Sequence, residues 1–393
     1  MIWKARWDGG FVVGGEGTLR LTPNFRLKEF VRPDGRVKVH RELVTALQML
    51  RERFGKPLTI RRVDDDGLGA DVTCASVADL LGAAERVRAH HLFREVTAAG
   101  DVVHVAIPDP AALPPIELEQ ALESAFSVTS CFETSGDRFQ QVTGNFDEAG
   151  MSFGPAQWNF KSGTLVPLFR AFERADPAAF RACFPDADDF AEFQRVLDLP
   201  VDQQIRWADA ISTGRGKQEI AEPWRGYFQA VGRVTRFRAI MVEEALRKYG
   251  AKVVEAVQYL QGLVPGVRID HLRCLCSLYD LVIQQGSLTK AKPRIEAAVR
   301  ESTPADQFAL VRLAVEARGR TAASQWQADC VSRRVGILNG VPETVEGHQR
   351  ANINFYLLRD VRIRDAQAFI GTDPAERLQR VAQALATGDT LLN

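Results

Sequence analysis

An apolar stripe with helical spacing runs through residues 116–128. Its apolar positions alternate with glutamates and are Ile116, Leu118, Leu122, Ala125, Phe126 and Val128. This spacing predicts an amphipathic helix. Ser135-Gly136 predicts its end, because glycine readily adopts the left-handed conformation that closes helices. Glu133 therefore falls in the last turn of the predicted helix.

The hydrophobic pattern changes near residue 110. Before it, helical stripes over 41–54 and 76–89 alternate with strand-like runs at 57–60 and 102–107. A proline cluster at 108–115 then predicts a linker, because proline disfavours regular structure. Beyond it we predict helices over 165–174, 188–197, 203–211, 224–249, 252–261, 270–285, 307–318 and 322–339. The sequence thus predicts a small α+β domain over 1–110 and a mainly α-helical domain over 111–393.

A glycine-rich stretch over residues 143–155 follows the predicted helix end. Its glycines permit tight turns, and the short runs between them predict a small β-hairpin. Asp147 lies in this hairpin, 14 positions after Glu133. The negative end of the helix dipole favours the protonated form of Glu133. One protonated carboxyl facing one ionised carboxyl is the arrangement that glycoside hydrolysis requires.

This part of the chain resembles the lysozyme-like superfamily, including its chitosanase branch. The resemblance is carried by three consecutive features, which are a helix that ends in glutamate, a hairpin that contains aspartate, and the motif Phe-Gly-x-x-Gln-Trp-Asn. The resemblance implies that Glu133 is the general acid and that Asp147 is the water-activating base or a charge stabiliser. It implies that Ser152 holds the water, while Glu148 and Asp137 compete with Asp147 for the second role. The residues that it places in the sugar cleft are Gln157, Trp158 and Asn159. A core position for the tryptophan is an equally good interpretation.

Two later stretches resemble helices of the chitosanase branch. One is Tyr-Asp280 followed by Gln-Gln-Gly, and the other is Trp-x-x-Asp-x-x-Ser-Arg333-Arg334. The comparison predicts a structural ion pair between Asp280 and Arg333 or its neighbour, behind the active site. The alternative is that both partners face solvent.

The order of elements in residues 1–110 resembles the M15 peptidases, which are zinc D-alanyl-D-alanine carboxypeptidases and phage endopeptidases. The resemblance implies metal ligands at Asp71 and His104, and Asp64 stands where the family has a histidine. Zinc accepts aspartate oxygen, so the three residues are a candidate zinc site. The missing histidine predicts a degenerate domain without metal, which would bind wall peptide stems or a delivery partner.

Composition narrows the functional classes further. The chain balances 50 Lys and Arg against 50 Asp and Glu, which argues against nucleic acid as a partner. It has no run of 18 apolar residues, so we expect no membrane span. The first residues lack the apolar core of a secretory signal, so we expect synthesis in the cytoplasm. The six cysteines are scattered without metal-type spacing and predict buried thiols.

These features favour a peptidoglycan hydrolase that cuts the β-1,4 bond between N-acetylmuramic acid and N-acetylglucosamine. We expect it to act in the wall of a target cell, as an effector of a secretion apparatus such as type VI, or as a phage endolysin. An immunity protein and the secretion apparatus are candidate partners. Lytic transglycosylation, which needs only Glu133, stays open. The alternatives are a chitosanase and a non-catalytic wall-binding protein.

Overall fold

The computed structural model describes residues 5–8, 10–133 and 138–367. Within these ranges, the description covers the backbone but not the side chain of Glu119, Glu133, Arg138 and Thr235. The described chain forms two compact units, one comprising residues up to 128 together with 251–367, the other comprising 129–250. These units are defined by contacts, and the module boundary expected near residue 110 stays a prediction.

The chain begins with a small antiparallel sheet and a buried helix. Their bounds are β1 (Arg6–Asp8), β2 (Phe11–Gly14), β3 (Val39–His40) and α1 (Arg41–Phe54). The imidazole Nδ1 of His40 caps the start of α1 by accepting a hydrogen bond from the amide of Glu42 at 3.2 Å. Gly55 ends α1 with φ 71°, a conformation that glycine adopts without steric cost.

A four-stranded antiparallel sheet follows, in the order β4-β5-β7-β6. The bounds are β4 (Thr59–Val63), β5 (Gly69–Thr73), α2 (Val77–Ala89), β6 (Glu95–Ala99) and β7 (Val102–Ala106). Alternate residues of β5 and β7, such as Val72 and Val103, are fully buried. Asp71 and His104 lie directly opposite each other in the register of these strands, on the other face.

Helix α3 (Leu118–Glu133) leads to a second small sheet. Its three antiparallel strands are β8 (Val142–Thr143), β9 (Ser152–Phe153) and β10 (Trp158–Asn159), with β9 in the centre. The predicted hairpin is therefore present, with a third strand that the hydrophobic pattern does not indicate.

An aromatic core holds the second unit together. The elements around it are α4 (Leu165–Ala175), α5 (Pro177–Ala182), α6 (Ala187–Leu197), α7 (Val201–Ala210), β11 (Ser212–Thr213), β12 (Glu219–Ile220), α8 (Trp224–Arg233) and α9 (Thr235–Leu263). The centroid of the Phe169 ring lies 6.0 Å from that of Phe153, 4.9 Å from that of Phe193 and 5.5 Å from that of Phe237. All four are fully buried, so this core anchors β9 through Phe153.

The remaining described elements complete the first unit. They are α10 (Leu272–Gln285), α11 (Lys292–Ser302), α12 (Gln307–Gly319), α13 (Ser324–Asn339), β13 (Thr344–Val345) and β14 (His348–Gln349). Helix α10 is buried over most of its length and packs against α12 and α13.

A buried ion pair ties α13 to α10. Arg333 Nη2 lies 2.6 Å from Asp280 Oδ1, and both side chains are almost fully buried. Arg334 Nε lies 3.6 Å from the other carboxylate oxygen, and its Nη atoms donate to Gln284 and Gln285 at 2.6 and 2.7 Å. Burial lowers the pKa of Arg334 to about 10, and the negative charge of Asp280 opposes this. Removing one partner of such a pair typically costs about 3–5 kcal/mol.

The prediction of a mainly helical chain with small sheets is confirmed. The predicted break at residues 250–251 is wrong, because α9 continues through Gly250 to Leu263. The break falls instead at Val234, which has an extended backbone. Helix α11, which starts with a proline in its first turn, is absent from the predicted set. Among the described residues, none of the helices combines the length and apolar character that crossing a bilayer requires.

Candidate functional site

The candidate general acid lies at the end of α3. The backbone of α3 ends at Glu133, which agrees with its expected place in the last turn. The carboxyl of Glu133 and the competing residue Asp137 lie outside the described part of the structure.

The three-stranded sheet separates polar from apolar side chains. Thr143, Ser152 and Asn159 are register partners across the three strands and share one face. Val142, Phe153 and Trp158 form the adjacent row on the opposite face, which is the face of the aromatic core. The sheet thus turns a row of polar groups away from the core, and we call Thr143, Ser152 and Asn159 the polar row.

Asn145 fixes the loop that connects β8 and β9. Its side-chain Nδ2 donates to Asp209 Oδ1 at 2.7 Å, and its Oδ1 accepts from the amide of Gly150 at 2.8 Å. Its own amide donates to Ser212 Oγ at 2.9 Å. The side chain of Asn145 therefore ties both ends of the loop to each other and to the end of α7, and its backbone amide ties the loop to β11.

Charge and close packing reinforce this anchor. Lys217 Nζ lies 2.5 Å from Asp209 Oδ2, and this hydrogen bond, followed by the one from Asn145, lowers the pKa of Asp209. A Cβ at Gly144 would lie 2.5 Å from the carbonyl oxygen of Lys217 and 2.6 Å from that of Glu219. Position 144 consequently requires glycine, and the loop base has little freedom to shift.

The tip of the loop presents two carboxylates and an aromatic ring to solvent. Phe146 is 50 % exposed, and Asp147 and Glu148 are exposed as well. Asp147 Oδ1 accepts a hydrogen bond from the amide of Ala149 at 3.2 Å. Among the described residues, Asp147 has no cationic partner, and the Glu148 side chain has neither a hydrogen bond nor an ion pair. The local hydrogen bond orients Asp147 and leaves its charge available.

Two of the predicted cleft residues use their polar groups locally. Gln157 adopts φ 51°, and its Nε2 donates to the carbonyl of Gly154 at 3.0 Å. Asn159 Oδ1 accepts from the amide of Ser162 at 2.9 Å, and its Nδ2 donates to the Gln157 carbonyl at 3.3 Å. These contacts shape the turns beside the polar row and leave fewer groups for a ligand.

The other two predicted site residues of this sheet are buried. Trp158 is 1 % exposed, and its ring lies against Gly154, where an added Cβ would approach the indole to 3.1 Å. A ring packed in this way offers no face to a sugar, so the observed position matches the core alternative. Ser152 is 3 % exposed, and its hydroxyl has no hydrogen bond within the described residues.

The candidate zinc ligands lie close together, but they form hydrogen bonds and ion pairs with one another and with Arg62. His104 Nδ1 lies 2.8 Å from Asp71 Oδ1, and His104 Nε2 lies 3.7 Å from Asp64 Oδ2. Arg62 donates from Nε to Asp71 Oδ2 at 2.9 Å, and its Nη2 lies 3.7 Å from Asp64 Oδ1. Burial raises the pKa of Asp71, but the hydrogen bonds from His104 and Arg62 outweigh it and lower that pKa overall.

This cluster does not fit a zinc ion. The Arg62 guanidinium supplies the positive charge that a metal would supply, because it lies 2.9 Å from Asp71 Oδ2 and 3.7 Å from Asp64 Oδ1 and so occupies both carboxylates. Within the described residues, no group of three histidine, cysteine or acidic side chains is arranged to hold a metal ion. No step of the proposed chemistry passes through a metal.

A separate cavity of about 470 Å³ lies between α4 and α9 in the second unit. Two arginines at its edge are paired with acidic neighbours on the same helix, Arg236 with Glu243 and Arg247 with Glu244. The predicted site residues are absent from its described lining, so we assign it no part in the site.

The sequence did not identify Asn145, Asp209 and Thr143 as site residues. Asn145 and Asp209 are 64 positions apart, and no local pattern links them. An asparagine directly after glycine in a hairpin loop is the one local signal that could have suggested a side-chain anchor. Thr143 becomes notable only through its register partner Ser152.

Comparisons with known proteins leave the family open. No family model matches the chain, and no curated protein matches it. One similar solved structure is a GH46 chitosanase of Gynuella sunshinyii in complex with chitotetraose. The two are 16 % identical with a TM-score of 0.37, and the match covers 57 % of this chain and 87 % of that one. A likeness at this level carries no argument about fold or activity.

Proposed function

We propose that this protein is a glycoside hydrolase that cuts the β-1,4 bond between N-acetylmuramic acid and N-acetylglucosamine in peptidoglycan. The observation that carries the proposal is the loop after β8. It presents the unpaired carboxylate of Asp147 to solvent on a base that Asn145 fixes, a short distance along the chain after a helix that ends at Glu133. Preorganised acids of this kind are typical of hydrolytic sites.

The two carboxyls would divide the chemistry between them. Glu133, at the negative end of α3, would be protonated and would donate its proton to the leaving glycosidic oxygen. Asp147, exposed and ionised, would take a proton from the attacking water. A separation of about 6.5–9.5 Å between the carboxyls would give inversion at the anomeric carbon, and about 5–5.5 Å would give retention.

The charges near the loop favour peptidoglycan over a polycationic polymer. Asp209 is neutralised by Lys217, and the neighbouring Arg215 is exposed. The tip thus carries two free carboxylates, one of which is assigned to catalysis. A polycation such as chitosan would be better recognised by a cleft with an excess of acidic groups.

The biological setting that we propose is the wall of a target bacterium. The chain would reach it through a secretion apparatus or, as an endolysin, during phage release. In the first case an immunity protein would be a partner. Lysis after directing the chain to the periplasm, without lysis when it stays in the cytoplasm, would support this setting, and equal toxicity in both compartments would contradict it.

Substitution of the proposed acid tests the activity itself. We expect Glu133→Gln to lower peptidoglycan clearing by about 10²- to 10⁴-fold, because the amide cannot donate the proton. Glu301→Gln is the matched control, since it changes an exposed glutamate of α11 outside the site, and should stay within about threefold of the wild type. Full activity of Glu133→Gln would overturn the mechanism. Wild-type clearing of chitosan but not of peptidoglycan would overturn the substrate assignment.

A further inference from the structure

The cavity between α4 and α9 combines an apolar floor with a charged rim. Leu168 and Ile240 are buried at the floor, and Ala171 is half-buried beside them. The volume of about 470 Å³ lies within the range of about 300–1,000 Å³ that is typical of pockets for small ligands. Such pockets are mostly apolar and carry a few polar groups that fix the orientation of the ligand. The cavity therefore has the composition of a ligand site.

The rim has one positive charge in excess, because three arginines face two glutamates. Arg236 lies 3.5 Å from Glu243, and Arg247 binds Glu244 on the same helix. Arg174, in the last turn of α4, has neither a hydrogen bond nor an ion pair among the described residues. Its guanidinium is therefore available to a carboxylate of a ligand, which it can bind through two parallel hydrogen bonds.

Glu243 offers a site of opposite charge on the same rim. Burial raises the pKa of Glu243, and the positive charge of Arg236 only partly offsets this effect. A half-buried carboxylate whose charge is incompletely compensated would be stabilised by a further cation. The rim can thus bind an ammonium group at Glu243 and a carboxylate at Arg174. A ligand that carries both charges on a short apolar body is complementary to the cavity.

We propose that this cavity binds the peptide stem of peptidoglycan. The choice of ligand rests on the proposed function, because the stem is attached to the N-acetylmuramic acid whose glycosidic bond is cut. The stem is a short peptide with several carboxylates, and its diaminopimelate residue carries a free ammonium group. Its alanine methyl groups suit the apolar floor. The N-acetylated sugars of the strand have no ammonium group to pair with Glu243.

A stem bound in this cavity would hold the substrate without contacting the reacting atoms. An interaction that stabilises the bound substrate and the transition state equally lowers KM and leaves kcat unchanged. The cavity should therefore increase the affinity for glycan strands that carry stems, and it should not affect strands from which the stems have been removed.

Calorimetric titration with the free stem tetrapeptide, Ala-γ-Glu-diaminopimelate-Ala, tests the site independently of catalysis. We expect the wild type to bind one peptide per chain, and Arg174→Ala to bind it about five- to twentyfold more weakly, because a charge-assisted contact is lost. Arg300→Ala is the matched control and should bind as the wild type does. Arg300 is likewise an exposed arginine in the last turn of its helix, α11, without a partner among the described residues. No binding by the wild type, or equal binding by Arg174→Ala, would overturn the inference.

Filling the cavity tests whether the peptide enters it. Ala171→Leu adds volume at the half-buried lining and changes no charge, and leucine is a good helix former. We expect this variant to keep the circular dichroism spectrum of the wild type and to bind the tetrapeptide at least about fivefold more weakly. Undiminished binding by Ala171→Leu, together with a loss in Arg174→Ala, would place the peptide on the exposed arginine and would contradict a site in the cavity.

Acetylation of the ammonium group of the peptide tests the role of Glu243. The wild type should bind the acetylated tetrapeptide about fivefold more weakly than the free one, because the charge that pairs with the carboxylate is removed. Glu243→Gln should bind the two peptides with similar affinity. An undiminished effect of acetylation in Glu243→Gln would overturn the assignment of the ammonium group to this carboxylate.

Steady-state kinetics on two substrates distinguish this inference from the proposed function. On strands with stems, Arg174→Ala should raise KM about fivefold with kcat within about twofold of the wild type, and on strands stripped of stems the two proteins should be alike. If the wild type binds the tetrapeptide through Arg174 but cleaves no glycan, the stem site stands and the hydrolase fails. If the wild type cleaves glycan but does not bind the tetrapeptide, the hydrolase stands and the stem site is overturned.

Discussion

Two acidic regions of this chain differ in how their charges are satisfied. In the four-stranded sheet, Asp71 is held by His104 on one oxygen and by Arg62 on the other. In the loop after β8, Asp147 accepts one local backbone hydrogen bond and has no cationic partner among the described residues. A carboxylate with both oxygens occupied by side chains has little left to offer a substrate. The unpaired one can accept a proton, which is why we place the chemistry there.

The two regions also differ in which residues hold them in place. Around Asp71 the charged groups bind one another directly, so the cluster stabilises its own sheet. Around Asp147 the binding is done by a neighbour, Asn145, which leaves the acid itself free. In preorganised sites, the residue that holds the backbone in place is commonly different from the residue that reacts.

Matched substitution of the two aspartates gives the largest expected contrast. Asp147→Asn should lower peptidoglycan cleavage by about 10²- to 10⁴-fold, because an amide cannot take the proton from water. Asp71→Asn should leave cleavage unchanged, since that carboxylate is engaged in the sheet. Rates measured on purified peptidoglycan, with circular dichroism to verify folding, decide between them. Comparable losses in both variants would remove the distinction between the regions.

Removing the hydrogen bonds that hold the loop after β8 should lower kcat less than removing the carboxylate of Asp147. Asn145→Ala removes both side-chain hydrogen bonds of the anchor, each of which contributes about 1 kcal/mol. If one or both of these contributions are lost at the transition state, kcat should fall by roughly five- to thirtyfold. Asn24→Ala is the control, because Asn24 binds Gln48 in the other unit and should leave kcat unaffected. Equal kcat for Asn145→Ala and the wild type would show that the anchor does not matter for the chemistry.

The acid dependence of stability should show the smallest effect. The pKa of Asp71 is lowered in the folded state, so its contribution to stability is present above the ordinary value of 3.8 and is lost as pH falls through the folded-state pKa. Since the pair is partly exposed, the loss should be below about 1 kcal/mol. Urea unfolding at pH 7 and pH 3 should therefore show a smaller acid loss in Asp71→Asn than in the wild type. An identical acid loss in the two proteins would contradict the inferred pairing.

The sequence predicts local elements of this fold better than distant contacts. Helix α1 occupies the predicted span 41–54, and α3 ends at the predicted Glu133, because capping and periodicity are local signals. Asp280 and Arg333 lie 2.6 Å apart as the resemblance predicts. The contacts that the sequence does not predict are made by side chains such as Arg62 and Asp209. Their roles depend on strand register and on loops that meet only in three dimensions.

Mass spectrometry of peptidoglycan digested in ¹⁸O-labelled water tests the central claim most directly. We predict glycan strands cut after N-acetylmuramic acid, with one ¹⁸O in each new reducing end from the wild type and none above background from Glu133→Gln. Cleavage confined to the peptide stems, or equal glycan cleavage by the wild type and Glu133→Gln, would contradict the proposed hydrolysis.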